Sequence, residues 1–241
     1  MYSIETKKLT KKFKDKVAVN GIDLQIKEGE LFALLGVNGA GKTTTIKMLS
    51  GLILPTSGDI MIEKMDMKKD VYQIKEILNV SPQETAIAPN LTVLENLEFM
   101  AGVYQIKDKN QKIEELVKQF KLEEVLHRRA KSLSGGWQRK VSIAISLIND
   151  PKILFLDEPT LGLDVIARKE LWKIIEKLKG KITIILTTHY MEEAENLSDR
   201  IGIMSHGDLI DVGTAKEFMK KTKTKTFEDA FVAIATGGDL S

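Results

Sequence analysis

Residues Gly36-Val37-Asn38-Gly39-Ala40-Gly41-Lys42-Thr43 fit the pattern G-x-x-x-x-G-K-[ST], and they follow directly on the apolar run Leu31-Phe32-Ala33-Leu34-Leu35. A glycine-rich loop between a strand and a helix curls its backbone N–H groups around an anion, a lysine brings a point charge to the β- and γ-phosphates, and a hydroxyl serves Mg²⁺. The helix expected from Lys42 adds the positive end of its dipole. The segment predicts a nucleoside triphosphate site in which Gly36, Asn38, Gly39, Ala40, Gly41, Lys42, Thr43 and Thr44 surround the phosphates. A second reactive pair, Asp157-Glu158, follows the run Ile153-Leu154-Phe155-Leu156. Carboxylates at the carboxyl end of a buried strand stand where open parallel sheets bind their ligands. Adjacent side chains on a strand point to opposite faces. One carboxylate, Asp157, is expected to join Thr43 on Mg²⁺, and the other, Glu158, to face an attacking water.

The elements that must hold these groups are legible in the hydrophobic pattern. Runs 153–156 and 182–186 are continuous, apolar and β-rich, as strands covered on both faces are, and belong in a parallel sheet with Leu31–Leu35. The first thirty residues alternate apolar and polar, most clearly at Ile22-Asp23-Leu24-Gln25-Ile26, which predicts a small antiparallel layer beside the nucleotide. Between about Gln83 and Pro151 the pattern turns helical, with helices expected over 92–104, 110–120, near Val125 and over 136–148. Thr92 and Glu95 read as a capping box. The fold class expected is α/β: a phosphate-loop core with a mainly parallel sheet, an antiparallel β layer and an inserted helical subdomain. The chain is read as one domain over 1–241, with the core in 1–84 and 151–219 and the helical subdomain in 85–150. A strand pair around Gly207-Asp208 and a helix over 215–220 close the core. The lysine- and threonine-rich stretch 220–226 reads as a solvated linker or as a basic contact to acidic lipid headgroups, and 227–235 as one last helix.

Composition narrows the chemistry. There are no cysteines, which excludes disulfides, thiol catalysis and cysteine-based zinc sites, and three scattered histidines argue for Mg²⁺ that arrives with the nucleotide. A net charge of +2 over 241 residues supplies no field suited to nucleic acid, so no nucleic-acid partner is expected. No apolar run approaches the roughly 18 residues of a membrane helix, and the first residues lack the apolar core of a signal peptide. The chain is expected in the cytoplasm unless a partner holds it at a membrane.

The segment Leu133-Ser134-Gly135-Gly136-Trp137-Gln138-Arg139-Lys140, lying before the Asp157 strand, adds a second anion-ready helix start. With it the sequence resembles the ATP-binding cassette family, and the remaining motifs match in order over nearly the whole chain. The resemblance implies that Phe13 stacks on adenine and that Gln83 reaches Mg²⁺ and the water. It implies that the aspartate of Leu161-Gly162-Leu163-Asp164 organises a dimer interface and that His189 contacts the γ-phosphate. It also implies that Ser134, Gly135 and Gly136 close in trans on nucleotide held by another copy of the domain. The family commonly has Gln as the fifth signature residue, where this chain has Trp137.

The reaction so implied is hydrolysis of ATP by in-line attack of water, with Glu158 as base or water-orienting group and Lys42, His189, Gln83 and Mg²⁺ placed around the transferred phosphoryl group. The function expected is that of the ATP-hydrolysing subunit of a transporter, held peripherally at the cytoplasmic face of the membrane by separate membrane-spanning permease subunits. It would work as a homodimer or as a heterodimer with a paralogous cassette. The ending Thr226-Phe227-Glu228-Asp229-Ala230-Phe231 resembles the export subgroup, import staying open. The competing reading is a soluble cassette ATPase that acts on a non-transport assembly.

Overall fold

The computed structural model describes residues 1–237. Two sheets divide the chain. In the larger, the order is β10-β9-β3-β8-β7-β6. Its members are β3 (Leu31–Leu35), β6 (Leu78–Ser81), β7 (Ile153–Asp157), β8 (Thr183–Thr188), β9 (Arg200–Ser205) and β10 (Asp208–Gly213). The pairs β3–β8, β3–β9, β6–β7 and β7–β8 are parallel, and only β10 runs antiparallel, as the hairpin partner of β9. The carboxyl ends of β3, β8, β7 and β6 therefore lie side by side on one edge. That edge carries, in the same order, the glycine-rich loop, His189, the Asp157-Glu158 pair and Gln83.

The smaller sheet, ordered β2-β1-β4-β5, is antiparallel, with β1 (Tyr2–Phe13) and β2 (Lys16–Lys27) forming a long hairpin and β4 (Ser57–Ile62) and β5 (Met65–Asp66) beside it. Strand alternation explains how the large sheet feeds two cores at once. Leu154, Leu156, Ile184 and Leu186 face the helices α3 (Val93–Val103), α4 (Lys109–Phe120), α5 (Gly135–Ile145) and α6 (Val165–Glu176). Phe32, Leu34, Ile153, Phe155 and Ile185 face the small sheet, α1 (Lys42–Leu49) and α2 (Val71–Ile77). A third cluster at the β9 side joins α7 (Met191–Leu197), α8 (Ala215–Thr222) and α9 (Phe227–Ala235). The expected helices appear at 93–103, 109–120, in a single turn at Glu123–Val125, and at 135–145. The capping box at Thr92 and Glu95 is present in both directions. The stretch expected as a linker at 220–226 is different: α8 runs through Thr222, so its first three residues are helical, and α9 packs back on α7 and β9. Residues 238–241, part of the proposed C-terminal segment, lie outside the described residues.

Candidate active site

The glycine-rich loop takes its shape because no side chain fits. A Cβ at Gly41, where φ is +104°, would meet the Ala18 carbonyl oxygen at 2.5 Å, and one at Gly36 would meet that of Met204 at 2.4 Å. Gly41 then stands at the N-cap of α1 with no side chain capping the helix, whereas Thr92, Asp164, Thr214 and Thr226 cap theirs. The first-turn N–H groups of α1 have no intrahelical acceptor and no acidic neighbour in that turn, the condition for receiving an anion. An open cavity of about 550 Å³ lies over this helix start, lined by Phe13, Lys16, Ala18, Asn38, Gly39, Ala40, Gly41, Lys42, Thr43, Thr44, Gln83, Glu158, Leu161 and His189. Strand β1 delivers Phe13 to it, half-exposed and with the Lys11 ammonium 5.0 Å over its ring.

At the cavity floor Lys42 is almost fully buried. Its Nζ donates to the carbonyl oxygens of Gly36 (2.8 Å) and Val37 (3.3 Å) and pairs with Glu158 Oε1 at 3.2 Å. The other oxygen, Oε2, meets His189 Nδ1 at 2.5 Å. A carboxylate only accepts hydrogen bonds, so with Glu158 ionised Nδ1 carries the imidazole proton. Glu158 reaches this position by a route that strand alternation does not describe. Strand β7 stops at Asp157, and Glu158 has φ of +50°, in the left-handed region. Such a conformation costs a non-glycine residue about 1–3 kcal/mol and recurs at functional sites. The turn, not the pleat, aims the carboxylate.

Beside it, Asp157 Oδ1 accepts from the Thr43 hydroxyl at 3.0 Å and from the Thr187 hydroxyl at 2.5 Å. Thr187 Oγ1 also accepts from the Glu158 backbone N–H at 3.0 Å. The hydroxyl of Thr43, the carboxylate of Asp157 and the amide of Gln83 are hard oxygen donors. Mg²⁺ prefers one or two protein oxygens together with substrate phosphates, and the donor set fits it. Among the described residues no group of three or more His, Asp or Glu gathers as an all-protein metal site.

Of the residues expected from sequence, the structure brings Phe13, Asn38, Gly39, Ala40, Gly41, Lys42, Thr43, Thr44, Gln83, Glu158 and His189 around one cavity, with Gly36 and Asp157 in direct contact with its lining. Ser134, Gly135 and Gly136 are not in that lining. Ser134 is exposed at the N-cap of α5 and its hydroxyl makes no capping bond. Trp137 holds the Lys140 ammonium 4.5 Å over its ring, and Lys140 pairs with Glu170 of α6 at 2.7 Å. Asp164 caps α6, accepting from the N–H groups of Ile166 and Ala167 at 2.9 Å each. Two functional candidates escaped sequence reading. One is Thr187, whose hydroxyl fastens the Asp157 carboxylate and the Glu158 backbone N–H. The other is Arg139 of α5, whose Nη1 donates to the Pro82 carbonyl (2.6 Å) and Nη2 to the Gln83 carbonyl (2.5 Å). Burial pulls the Arg139 pKa down from its ordinary value, and the nearby charges of Asp157 and Glu193 oppose that. The signal available was the position of Arg139 one turn beyond the Ser-Gly-Gly start, on the helix face that turns inward.

The family model described as ABC transporter matches residues 19–161. The chain is 39% identical over 239 residues to a probable multidrug ABC transporter ATP-binding protein of Escherichia coli, covering 96% of this chain and 41% of that protein. It is 45% identical over 214 residues to the human phospholipid-transporting ATPase ABCA3, covering 86% of this chain and 12% of that protein. The chain thus spans well under half the length of these relatives. Among solved structures, the ATP-binding subunit of an ABC transporter superposes with a TM-score of 0.85 at 27% identity, covering 96% of this chain and 98% of that one. A dimeric ATP-binding cassette in a post-hydrolysis state bound to ADP and Pi superposes with a TM-score of 0.79 at 27% identity, covering 88% and 98%. The family match and the ordered strand-end site lead to one conclusion: this chain belongs to the ABC transporter family.

Proposed function

We propose that the chain is the ATP-binding and ATP-hydrolysing subunit of an ABC transporter, powering export through separate membrane-spanning subunits by closure of a cassette dimer on ATP. The observation that carries the hydrolytic part is Glu158, seated between Lys42 and His189 at the head of the phosphate loop. Phosphate oxygens of ATP would compete with Glu158 for Lys42. That exchange leaves Oε1 to accept a proton from water, while His189, held on Oε2, faces the same end of the substrate. Thr43, Asp157 and Gln83 would hold Mg²⁺, which neutralises charge developing on the phosphoryl oxygens. Phe13 would stack on the base. The exposed Ser134 turn, outside the cavity of its own chain, supports closure by a second copy, homologous or identical. The division into a core (1–84, 151–219), a helical subdomain (85–150) and a C-terminal segment (220–241) belongs to the same proposal.

Two of the relatives carry names that speak of multidrug and phospholipid transport, which supports the transport reading. No helix among the described residues is long and apolar enough to cross a membrane; in the transport reading the path through the membrane is supplied by permease subunits that hold the cassette at the cytoplasmic face. Exposed Leu52, Leu54 and Tyr72 give such a partner an apolar footing near the junction of α1 and α2. The test is Glu158→Gln. The variant should bind MgATP, accumulate as a closed dimer on gel filtration and hydrolyse about 100- to 10,000-fold more slowly, the range of a lost general base. Wild-type turnover would remove Glu158 from the base role. In parallel, the native protein should pellet with membranes and copurify with a polytopic subunit; recovery only in the soluble fraction would sink the transport reading.

A further inference from the structure

Behind the site lies a carboxyl group that the mechanism above does not use. Glu193, in the first turn of α7, is completely buried. Its Oε1 accepts from the indole N–H of Trp172 on α6 at 3.0 Å. The hydroxyls of Thr188 and Thr160, both completely buried, also bear on the carboxyl. Among the described residues, Glu193 Oε2 and Thr160 Oγ1 are two of the three buried side-chain polar atoms that close no hydrogen bond of ordinary geometry. Buried polar atoms without partners are costly, and the Thr160 hydroxyl, which bears on the Glu193 carboxyl, is the donor at hand for its second oxygen. Thr188 is the residue before His189. Thr160 is two residues beyond Glu158. The carboxyl therefore sits between the two loops whose side chains meet at the His189–Glu158 contact.

We infer that Glu193 is a positioning residue, an internal tie whose carboxyl joins the loop after Glu158 to the strand end before His189 through Thr160 and Thr188, with Trp172 anchoring its other oxygen. This inference rests on the hydrolytic reading for its effect on rate, and on the packing alone for its effect on His189. Burial raises the Glu193 pKa above its ordinary value, and the Glu158 charge adds to the rise, while the Thr188 and Thr160 hydroxyls and the Trp172 indole oppose it. The carboxyl accepts from Trp172 with one oxygen, and the threonine hydroxyls bear on the group as donors. Glutamine keeps an acceptor for Trp172 and presents an amide from which a threonine hydroxyl oxygen can accept, and methionine fills the volume and reproduces neither contact.

The experiment compares Glu193→Gln, Glu193→Met and Thr160→Val in the full chain, following ATPase kinetics, melting temperature and the imidazole NMR resonances of His189. E193Q should keep the wild-type kcat and His189 spectrum. E193M and T160V should lose kcat by about 10- to 100-fold, the scale of an ångström-level misplacement, with KM for ATP little changed, and E193M should displace the His189 resonances. Should E193M not fold, T160V reads the same tie from its other end. Wild-type kcat with an unmoved His189 spectrum in E193M, wild-type kcat in T160V, or loss of activity in E193Q equal to that in E193M would each overturn the inference. If the wild-type chain turns over no ATP, the hydrolytic reading fails, and the His189 spectra alone then decide whether the tie exists.

Discussion

Thr187 shows how one hydroxyl can set two carboxylates. Its Oγ1 donates to Asp157 Oδ1 and accepts from the Glu158 N–H, so the residue that places the Asp157 carboxylate also fixes the left-handed turn that aims its neighbour. Thr187→Val preserves shape and removes both bonds. The buried Asp157 oxygen then keeps only Thr43, and leaving a buried acceptor short of a donor costs about 1–3 kcal/mol. The expected outcome is a melting temperature lowered accordingly and a kcat for ATP hydrolysis down by about 10- to 100-fold; unchanged values in both measurements would show that Thr43 suffices. Residues of this kind explain what sequence reading could and could not reach. Gly36 to Thr43 announce their chemistry because the pattern itself is the binding device. Thr187 and Arg139 act only on groups that folding brings near, Thr187 across the β7–β8 pairing and Arg139 across the gap from α5 to the loop after β6. Nothing local to either position reveals those partners. Glu158 was legible as a carboxylate at a strand end, while the turn that directs it was not.

Among the elements, those with a clean period were legible and those with mixed character were not. Continuous apolar runs gave β3, β7 and β8, and the capping box gave the start of α3. Strand β6 is four residues, Leu78-Asn79-Val80-Ser81, too short to show a period, and β4 opens on Ser57-Gly58-Asp59, a sequence suited equally to a turn. Only pairing to β7 and β1 makes them strands. The C-terminal helices carry a testable consequence. Phe227 and Phe231 of α9 are buried against a cluster that includes Ala33, Leu35, Ile201 and Ile203, and the Phe218 and Phe227 rings stack with centroids 6.2 Å apart. The segment thus covers the β9 side of the core in place of trailing from it. Phe231→Ala should destabilise the protein by about 3–5 kcal/mol, the usual result of emptying a buried phenylalanine site, as read from urea unfolding. A change near zero would mean that α9 is a loosely held tail after all. Because α9 packs on the face of β3 and β9 turned away from the small sheet that carries Phe13, and β6, which leads to Gln83, lies at the far end of the large sheet, nucleotide affinity at temperatures where the variant stays folded should be unaltered.

At the scale of the whole molecule, the proposed closure by a second copy would make the chain half of two different sites. Lys42 and Glu158 line a cavity that the Ser134 turn of the same chain does not enter, and Ser134 is exposed with its hydroxyl committed to no cap. If two copies pair head to tail about a two-fold axis, each cavity is completed by the other copy's turn, and every dimer contains two composite sites. This geometry makes a sharp prediction for mixtures. A Lys42→Ala chain keeps a sound Ser134 turn but cannot grip phosphate, and a Ser134→Ala chain keeps a sound phosphate loop. Each variant alone has both of its sites broken and should be nearly inactive. In a heterodimer the phosphate loop of the Ser134→Ala chain faces the intact turn of the Lys42→Ala chain, so one site is whole and the other is broken twice. With random pairing in an equal mixture, half the dimers are heterodimers and half of their sites are whole. About one quarter of the wild-type ATPase rate should return if the two sites act independently, as a two-fold assembly permits. Differently tagged chains recovered together by affinity capture establish that heterodimers have formed. Under that condition, activity no greater than the sum of the separate variants would mean that each site is built within one chain, and the shared-site mechanism would have to be abandoned.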